Sequence, residues 1–409
     1  MGAAQTAHGA PLTDGVATTR TSNRWVGIGR ATTADSARAG REAALAALEG
    51  REAKLAIVFA SEAHDLEQLV RAIRAETGDA ELIGCTTAGE LSHLGASDGG
   101  VVVTALGGDG FRVRTAVGRG GHGELREAGA AAATAMTAFD PGDRQRVLML
   151  LSDGVAGNQQ DVIRGVHDIV GSAVPLVGGC AGDGMKMEQT FQIHGDEVIS
   201  GGVVGAAIAS DGPIGLGWSH GWERVGEPML VTSATGNRVD EIDDQPALDL
   251  YLERLGAPAE VGSDPREFTR WARTHPLGLG RRQNGHEPVR CVGEADFERR
   301  SIACTAEVPA GGLTWFMHGD ADSVLRSTSK ACQAAVGALG DSPPLAIVAF
   351  DCIGRRGVLG DDRLADEVAR IGESGGQAPF AGLYTYGEIA RLKGVNALHS
   401  QTFVAMAIG

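Results

Sequence analysis

Apolar residues fall into short β-branched runs bounded by glycine, and these alternate with alanine-rich stretches whose apolar positions recur three or four apart. The runs read as buried strands and the stretches as helices packed on them. Trp25-Val-Gly-Ile28, a helix led by Asp35-Ser36 and running to Leu48, and Leu55-Ala-Ile-Val-Phe59 make one strand-helix-strand unit. The pattern returns as Leu313-Thr-Trp-Phe-Met317, a helix led by Asp322-Ser323 and running to Leu339, and Leu345-Ala-Ile-Val-Ala-Phe350. Each Asp-Ser pair is placed to cap the free amides of a first turn.

The segments beyond each inner strand also repeat. After Phe59 come a helix over 65–76, a short strand at Leu82-Ile83 and a Gly-rich turn closed by Gly89-Glu90. After Leu151 come a loop over 152–158, a helix over 161–171, a strand over 175–177 and a turn closed by Gly182-Asp183. After Phe350 come a loop over 351–356, a helix over 363–371 and a turn closed by Gly387-Glu388. Return strands follow over 100–106, 202–209 and 402–408, with further strands over 111–117 and 214–218 beyond glycine corners. Between 223 and 312, Pro258, Pro265, Pro276 and Pro288 punctuate short elements. The pattern predicts an α/β fold of mixed sheets with packed helices and Gly-rich turns, built from internally repeated units in two domains. Residues 1–23 read as a disordered tail, 24–225 as a domain of two units, and 226–409 as a domain holding the third.

Composition sharpens this picture in two ways. Glycine supplies 61 of 409 residues, twice its usual share, so many tight turns and close backbone approaches are implied. The formal net charge of -16 disfavours nucleic acid and anionic membranes as partners. No apolar stretch is long enough to span a bilayer. Six cysteines without a C-x-x-C pair signal neither a disulfide framework nor a zinc site, and reduced thiols in a cytoplasm are the simplest expectation.

Strand-end turns are where α/β sheets place ligands, which makes Glu90, Asp183 and Glu388 candidate binding residues, with Arg355 or Arg356 as bidentate partners. A purely architectural role, in which the three acids hold their turns through backbone amides, explains the repetition equally well. Cys352 precedes two arginines that would lower a thiol pKa, giving an alternative reading as an enzyme with Cys352 as nucleophile and Arg355 and Glu388 as electrostatic partners. Gly217-Trp-Ser219-His-Gly221 matches a nucleophile elbow but no helix follows, and Gly27-x-Gly29 is a broken dinucleotide fingerprint. Among scattered histidines, His220 beside Trp218 and Trp222, and His318 beside Trp315 and Phe316, have the apolar neighbours an iron porphyrin needs.

Ile83-Gly-Cys-Thr-Thr-Ala-Gly-Glu90, Ser152-Asp-Gly-Val-Ala-Gly-Asn158 and Pro175-Leu-Val-Gly-Gly-Cys-Ala-Gly-Asp183 together resemble the FIST family, a FIST N domain followed by a FIST C domain. His220-Gly-Trp222, Gly236-Asn237, Pro246-Ala-Leu-Asp-Leu-Tyr251, Cys352-Ile-Gly-Arg355 and Tyr384-Thr-Tyr386-Gly-Glu388-Ile389 extend the resemblance from about Trp25 to Gly409. It implies an intracellular sensory module of signal transduction rather than an enzyme. The ligand would be a small molecule such as an amino acid, or haem with nitric oxide held through His220 or His318. It would sit among the Gly-acid turns, touched by Glu90, Asp183, Cys352, Arg355, Tyr386 and Glu388, or in the cleft between the domains. Signalling would pass to a separate partner such as a histidine kinase or a cyclic-nucleotide enzyme, with a homodimer as a further expected assembly.

Overall fold

The computed structural model describes residues 23–121, 123–140, 145–280, 288–394 and 396–409. The tail expected over 1–23 therefore lies, but for its last residue, outside the described residues. Three six-stranded mixed sheets share one plan, and a fourth, eight-stranded sheet stands apart from them. In the first unit an edge strand, Trp25–Ala31, leads through the helix Ser36–Leu48 to the inner strand Ala53–Ser61. The helix Leu66–Thr77 and the parallel strand Glu81–Thr87 come next, and Val101–Gly107 returns between edge and inner strands. The second unit repeats this order with Phe111–Arg119, Arg146–Ser152, Leu176–Cys180 and Gly202–Ser210. The third uses Ile214–Ser219, Ala346–Cys352, Phe380–Thr385 and Phe403–Ile408.

Each sheet is completed by a hairpin from another unit. The first unit's hairpin, Glu90–Ser92 with Gly95–Ser97, pairs with Phe380–Thr385 of the third. The second unit's, Gln192–His194 with Glu197–Ile199, pairs with Glu81–Thr87 of the first. The third unit's, Glu388–Arg391 with Leu398–His399, pairs with Leu176–Cys180 of the second. The exchange is cyclic. The inner faces of the three sheets meet in one core containing Phe59, Met149 and Phe350, and the helices cover the outer faces.

Glycine decides how closely those helices approach. A Cβ on Gly29 would lie 2.0 Å from the Ala43 carbonyl oxygen, and one on Gly217 2.2 Å from that of Ala331. Only hydrogen at these positions lets strand and helix backbones touch. The fingerprint-like Gly27-x-Gly29 and the first glycine of the elbow-like Gly217–Gly221 are therefore packing contacts.

The same contact corrects the expected makeup of the third unit. Its edge strand is Ile214–Ser219, assigned on sequence to the first domain, because Gly215 and Gly217 supply the helix-facing surface that Leu313–His318 lacks. Leu313–His318 instead pairs with Glu223–Thr235 and Leu277–Leu279 in the eight-stranded sheet. That sheet is inserted between the third unit's edge strand and its helix Ala321–Gly337, around a core of Tyr251, Phe268 and Phe316. The helix is capped by Asp320 rather than Asp322: Asp320 Oδ1 accepts from Ser323 N at 2.7 Å, and Ser323 Oγ contacts Asp320 N at 3.0 Å. The expected loop over 351–356 contains the start of a short helix, Ile353–Leu359.

Candidate functional site

The C-terminal ends of the parallel strand pairs from all three units, and the turns beyond them, surround one cleft of about 540 Å³. The first unit contributes Ser61, Glu62, Gly89 and Asp98, the second Gly184 and Met185, and the third Arg356 and Asp361. Arg356 is the central cation. Its guanidinium forks onto Asp98 at 2.5 and 2.7 Å, reaches the Ala88 carbonyl at 3.1 Å and Asp361 at 3.3 Å, and lies over the Tyr384 ring at 5.1 Å. A Cβ on Gly89 would stand 2.5 Å from Arg356 Nη1, so glycine is required for that approach. Across the cleft Glu62 accepts from Ser61 Oγ at 3.1 Å and pairs with Lys186 at 3.2 Å.

The acids singled out on sequence sit behind this surface. Glu90 accepts from Thr87 Oγ1 at 2.6 Å, Gly100 N at 2.8 Å and Ser97 Oγ at 2.9 Å. Glu388 accepts from Thr385 Oγ1 at 2.8 Å and Thr402 N at 3.0 Å. Both are fully buried. The matching place in the second unit is taken by Asp153, which accepts from Gly201 N and Thr190 Oγ1, both at 2.8 Å. Asp183 plays a different part, accepting the amides of Met187, Glu188 and Gln189 at 2.7 to 2.9 Å and the hydroxyl of Tyr386. Tyr386 thereby ties the second unit's turn to the third unit's. Glu90 holds the turns that carry Gly89 and Asp98, and Asp183 holds the turn that carries Gly184 and Met185, whereas Glu388 braces Thr385 and Thr402 away from the lining.

Burial pushes Glu90 up to about 7 and Glu388 up to about 8, against the hydrogen bonds that favour their charged forms. In the unfolded chain both ionise near the ordinary carboxylate value. Between that value and about 7 to 8 the fold binds more protons than the unfolded chain, so this contribution to stability is present at pH 4 and lost as pH rises through the folded values. The urea midpoint is expected to fall between pH 5.5 and 8. Glu388→Gln, which cannot ionise, is expected to flatten the slope by up to about 1.4 kcal/mol per pH unit; an unchanged slope would contradict the assignment.

Arg355 and Cys352 lie inside the protein. Arg355 is fully buried between Asp351 at 2.6 Å and Glu367 at 3.3 Å, with Ser327 and Thr328 hydroxyls at 2.6 Å. Its charge is spent there. The expected lowering of the Cys352 pKa is reversed: burial pushes the thiol well above its ordinary value, and Glu388 and Cys291 add to the effect. A buried, protonated thiol gives no support to Cys352 as a nucleophile.

The two histidines considered for an iron porphyrin are each engaged locally. His220 Nδ1 accepts from Trp222 N at 2.9 Å, within its own turn, and Trp218 packs beside His399 at 5.7 Å. His318 is exposed, with its ring 5.4 Å from that of His275, which stacks on Trp271 at 4.1 Å. Neither imidazole lines the cleft described above or two others, of about 730 and 780 Å³, among the described residues. No group of three or more His, Cys, Asp or Glu among the described residues is arranged to hold a metal ion.

Sequence reading missed Glu62, Asp98 and Asp361. Their signal was present, since each lies in a loop following a strand or helix end beside a glycine-rich turn, but exposed acids are common in an acidic chain.

A protein of three exchanged α/β units with a cleft at their shared end is the setting in which the comparisons with known proteins fall. The chain belongs to the FIST family, matching the FIST N domain over residues 54–245 and the FIST C domain over 247–391. That family is associated with ligand binding in sensory signal transduction. An uncharacterised Mycobacterium tuberculosis protein is 26% identical over 391 residues, covering 92% of this chain and 97% of the relative. An uncharacterised Mycobacterium bovis protein is 27% identical over 399 residues with the same coverage. An uncharacterised Methanocaldococcus jannaschii protein is 34% identical over 128 residues, covering 28% of this chain and 24% of the relative. No helix among the described residues is long and apolar enough to cross a membrane.

Proposed function

We propose that the protein is a sensor whose small zwitterionic ligand, of the amino-acid type, binds in the cleft at the junction of the three units. The observation that carries this is one guanidinium and several carboxylates lining the same cleft: Arg356, paired with Asp98 and Asp361, and Glu62. A ligand carboxylate would take the fork of Arg356, and its ammonium would meet Glu62. Asp98 is 67% exposed, so a ligand carboxylate can compete with it for the fork of Arg356 while water takes up the released Asp98. That exchange would free the loops at 98–99 and 357–361, changing the surface offered to a separate partner such as a histidine kinase or a cyclic-nucleotide enzyme.

Calorimetric titration with each of the twenty common amino acids tests the reading. At least one is expected to bind the wild-type protein, and Arg356→Ala is expected to weaken it at least tenfold, about 1.4 kcal/mol. Binding that survives Arg356→Ala, or no binding by any of the twenty, overturns it.

A further inference from the structure

The cleft of about 730 Å³ lies elsewhere, between the second unit's helices Leu125–Ala133 and Gln159–Val170 and the inserted eight-stranded sheet, and shares no residue with the junction cleft. At its wall is Arg290, on the strand Val289–Arg290. The residue is only 9% exposed. A buried guanidinium ordinarily has a carboxylate against it, because desolvating an uncompensated charge is expensive. Arg290 makes no ion pair among the described residues: Nε donates to the Glu307 carbonyl at 3.1 Å and Nη1 to the Val289 carbonyl at 3.0 Å, and the Glu307 carboxylate favours its charge only through space. Its Nη2 has no hydrogen-bond partner among them. The Glu307 carboxylate turns instead to Arg164 Nη2, at 2.9 Å.

The rest of the lining agrees with an anion. Arg126, Arg164 and Arg290 line it with Asp168 and Glu307, and with His167 and Gln160, a concentration of guanidinium groups in a chain that carries -16 overall. Arg126 is occupied by Asp168 at 2.8 Å and Arg164 by Asp161 and Glu307, so their fields contribute while the unpaired contact is left to Arg290. Val231, Leu279 and Pro288 supply an apolar wall. The size suits a molecule of a few hundred daltons rather than a bare ion.

We infer that this cleft is a second ligand site, for a small organic molecule presenting an oxyanion, carboxylate or phosphate, to Arg290. Occupation would bridge the second unit and the inserted sheet through one molecule, so the site is placed to report on a second signal independently of the junction cleft.

Titration calorimetry with citrate and, separately, with inorganic pyrophosphate at 50 mM NaCl tests the assignment and distinguishes the two chemistries. One of the two is expected to bind saturably. Arg290→Met, which keeps the volume and the apolar stem, is expected to weaken that binding at least tenfold. Gln160→Glu, at a half-buried position in the first turn of the helix Gln159–Val170 where the helix dipole favours a carboxylate, is expected to weaken it about threefold, and less at 300 mM NaCl as screening sets in. Arg38→Gln, far from the cleft on an exposed helix face, is expected to leave it unchanged. The inference is overturned if neither anion binds, if Arg290→Met folds and binds as tightly as wild type, or if Gln160→Glu has no effect.

Discussion

Replacing Arg355 by Met is expected to lower the free energy of unfolding by about 3–5 kcal/mol, measured by urea denaturation, because it leaves Asp351 and Glu367 buried without their shared cation. That is a large part of the roughly 5–15 kcal/mol available to a folded protein. The loss reaches further than one ion pair. Ser327 and Thr328 lose their donor, and Glu367 also accepts from the Tyr384 hydroxyl at 2.8 Å, so the helix Ala321–Gly337 and the strand Phe380–Thr385 are loosened together. The triple variant Arg355→Met, Asp351→Asn, Glu367→Gln removes the cation and both carboxyl groups and is expected to recover most of the stability. A cost below about 1 kcal/mol for the single change would show that the cluster is not held by charge.

The second large effect is expected where strands carry helix backbones. Gly29→Ala and Gly217→Ala each place a methyl carbon 2.0 to 2.2 Å from a backbone carbonyl oxygen that cannot rotate away. Each is expected to cost about 3 kcal/mol, at the upper end for overpacking, because strand and helix must separate along their length. The control is Gly337→Ala, at the end of the helix Ala321–Gly337, where nothing lies within 4 Å of the added carbon. It is expected to gain about 0.5–1 kcal/mol from helix propensity. Equal effects of all three changes on thermal unfolding would remove the packing explanation.

Much of the repeated architecture was legible in the order of apolar runs, capped helices and Gly-acid turns. Asp35 caps its helix as expected, accepting the amide of Arg38 at 2.9 Å, whereas the cap expected at Asp322 falls two residues earlier, at Asp320. Pairing between units could not be read locally. Leu313–His318 looks like an edge strand because its apolar content matches Trp25–Ala31, but helix contact selects for missing side chains, and the glycine spacing in Ile214–Ser219 carries that signal. The hairpin exchange depends on register between residues almost three hundred apart, such as Leu383 with Glu90, and leaves no local trace.

The sequence pointed to the neighbourhood of the cleft but only partly to its lining. Glu90, Asp183, Cys352 and Arg355 each adjoin a lining residue, Gly89, Gly184, Ile353 and Arg356, whereas Tyr386 and Glu388 do not, and the lining acids Glu62, Asp98 and Asp361 were not singled out. On the helix Ile353–Leu359 successive side chains point about 100° apart, so one arginine turns inward to Asp351 and the next faces the cleft. Residue type marks both members of such a pair as chemically capable; only the direction of the backbone separates the anchor from the contact.

The cyclic exchange also sets an order of events during synthesis. The strand Leu176–Cys180 keeps an open edge until residues 388–399 have left the ribosome, and the hairpin at 90–97 has no sheet to join until Phe380–Thr385 exists. The amino-terminal half therefore waits, incompletely paired, for the carboxy-terminal end. Chains cut between the two family domains would present unpaired sheet edges on both fragments, at Leu176–Cys180 on one and at Phe380–Thr385 and Phe403–Ile408 on the other.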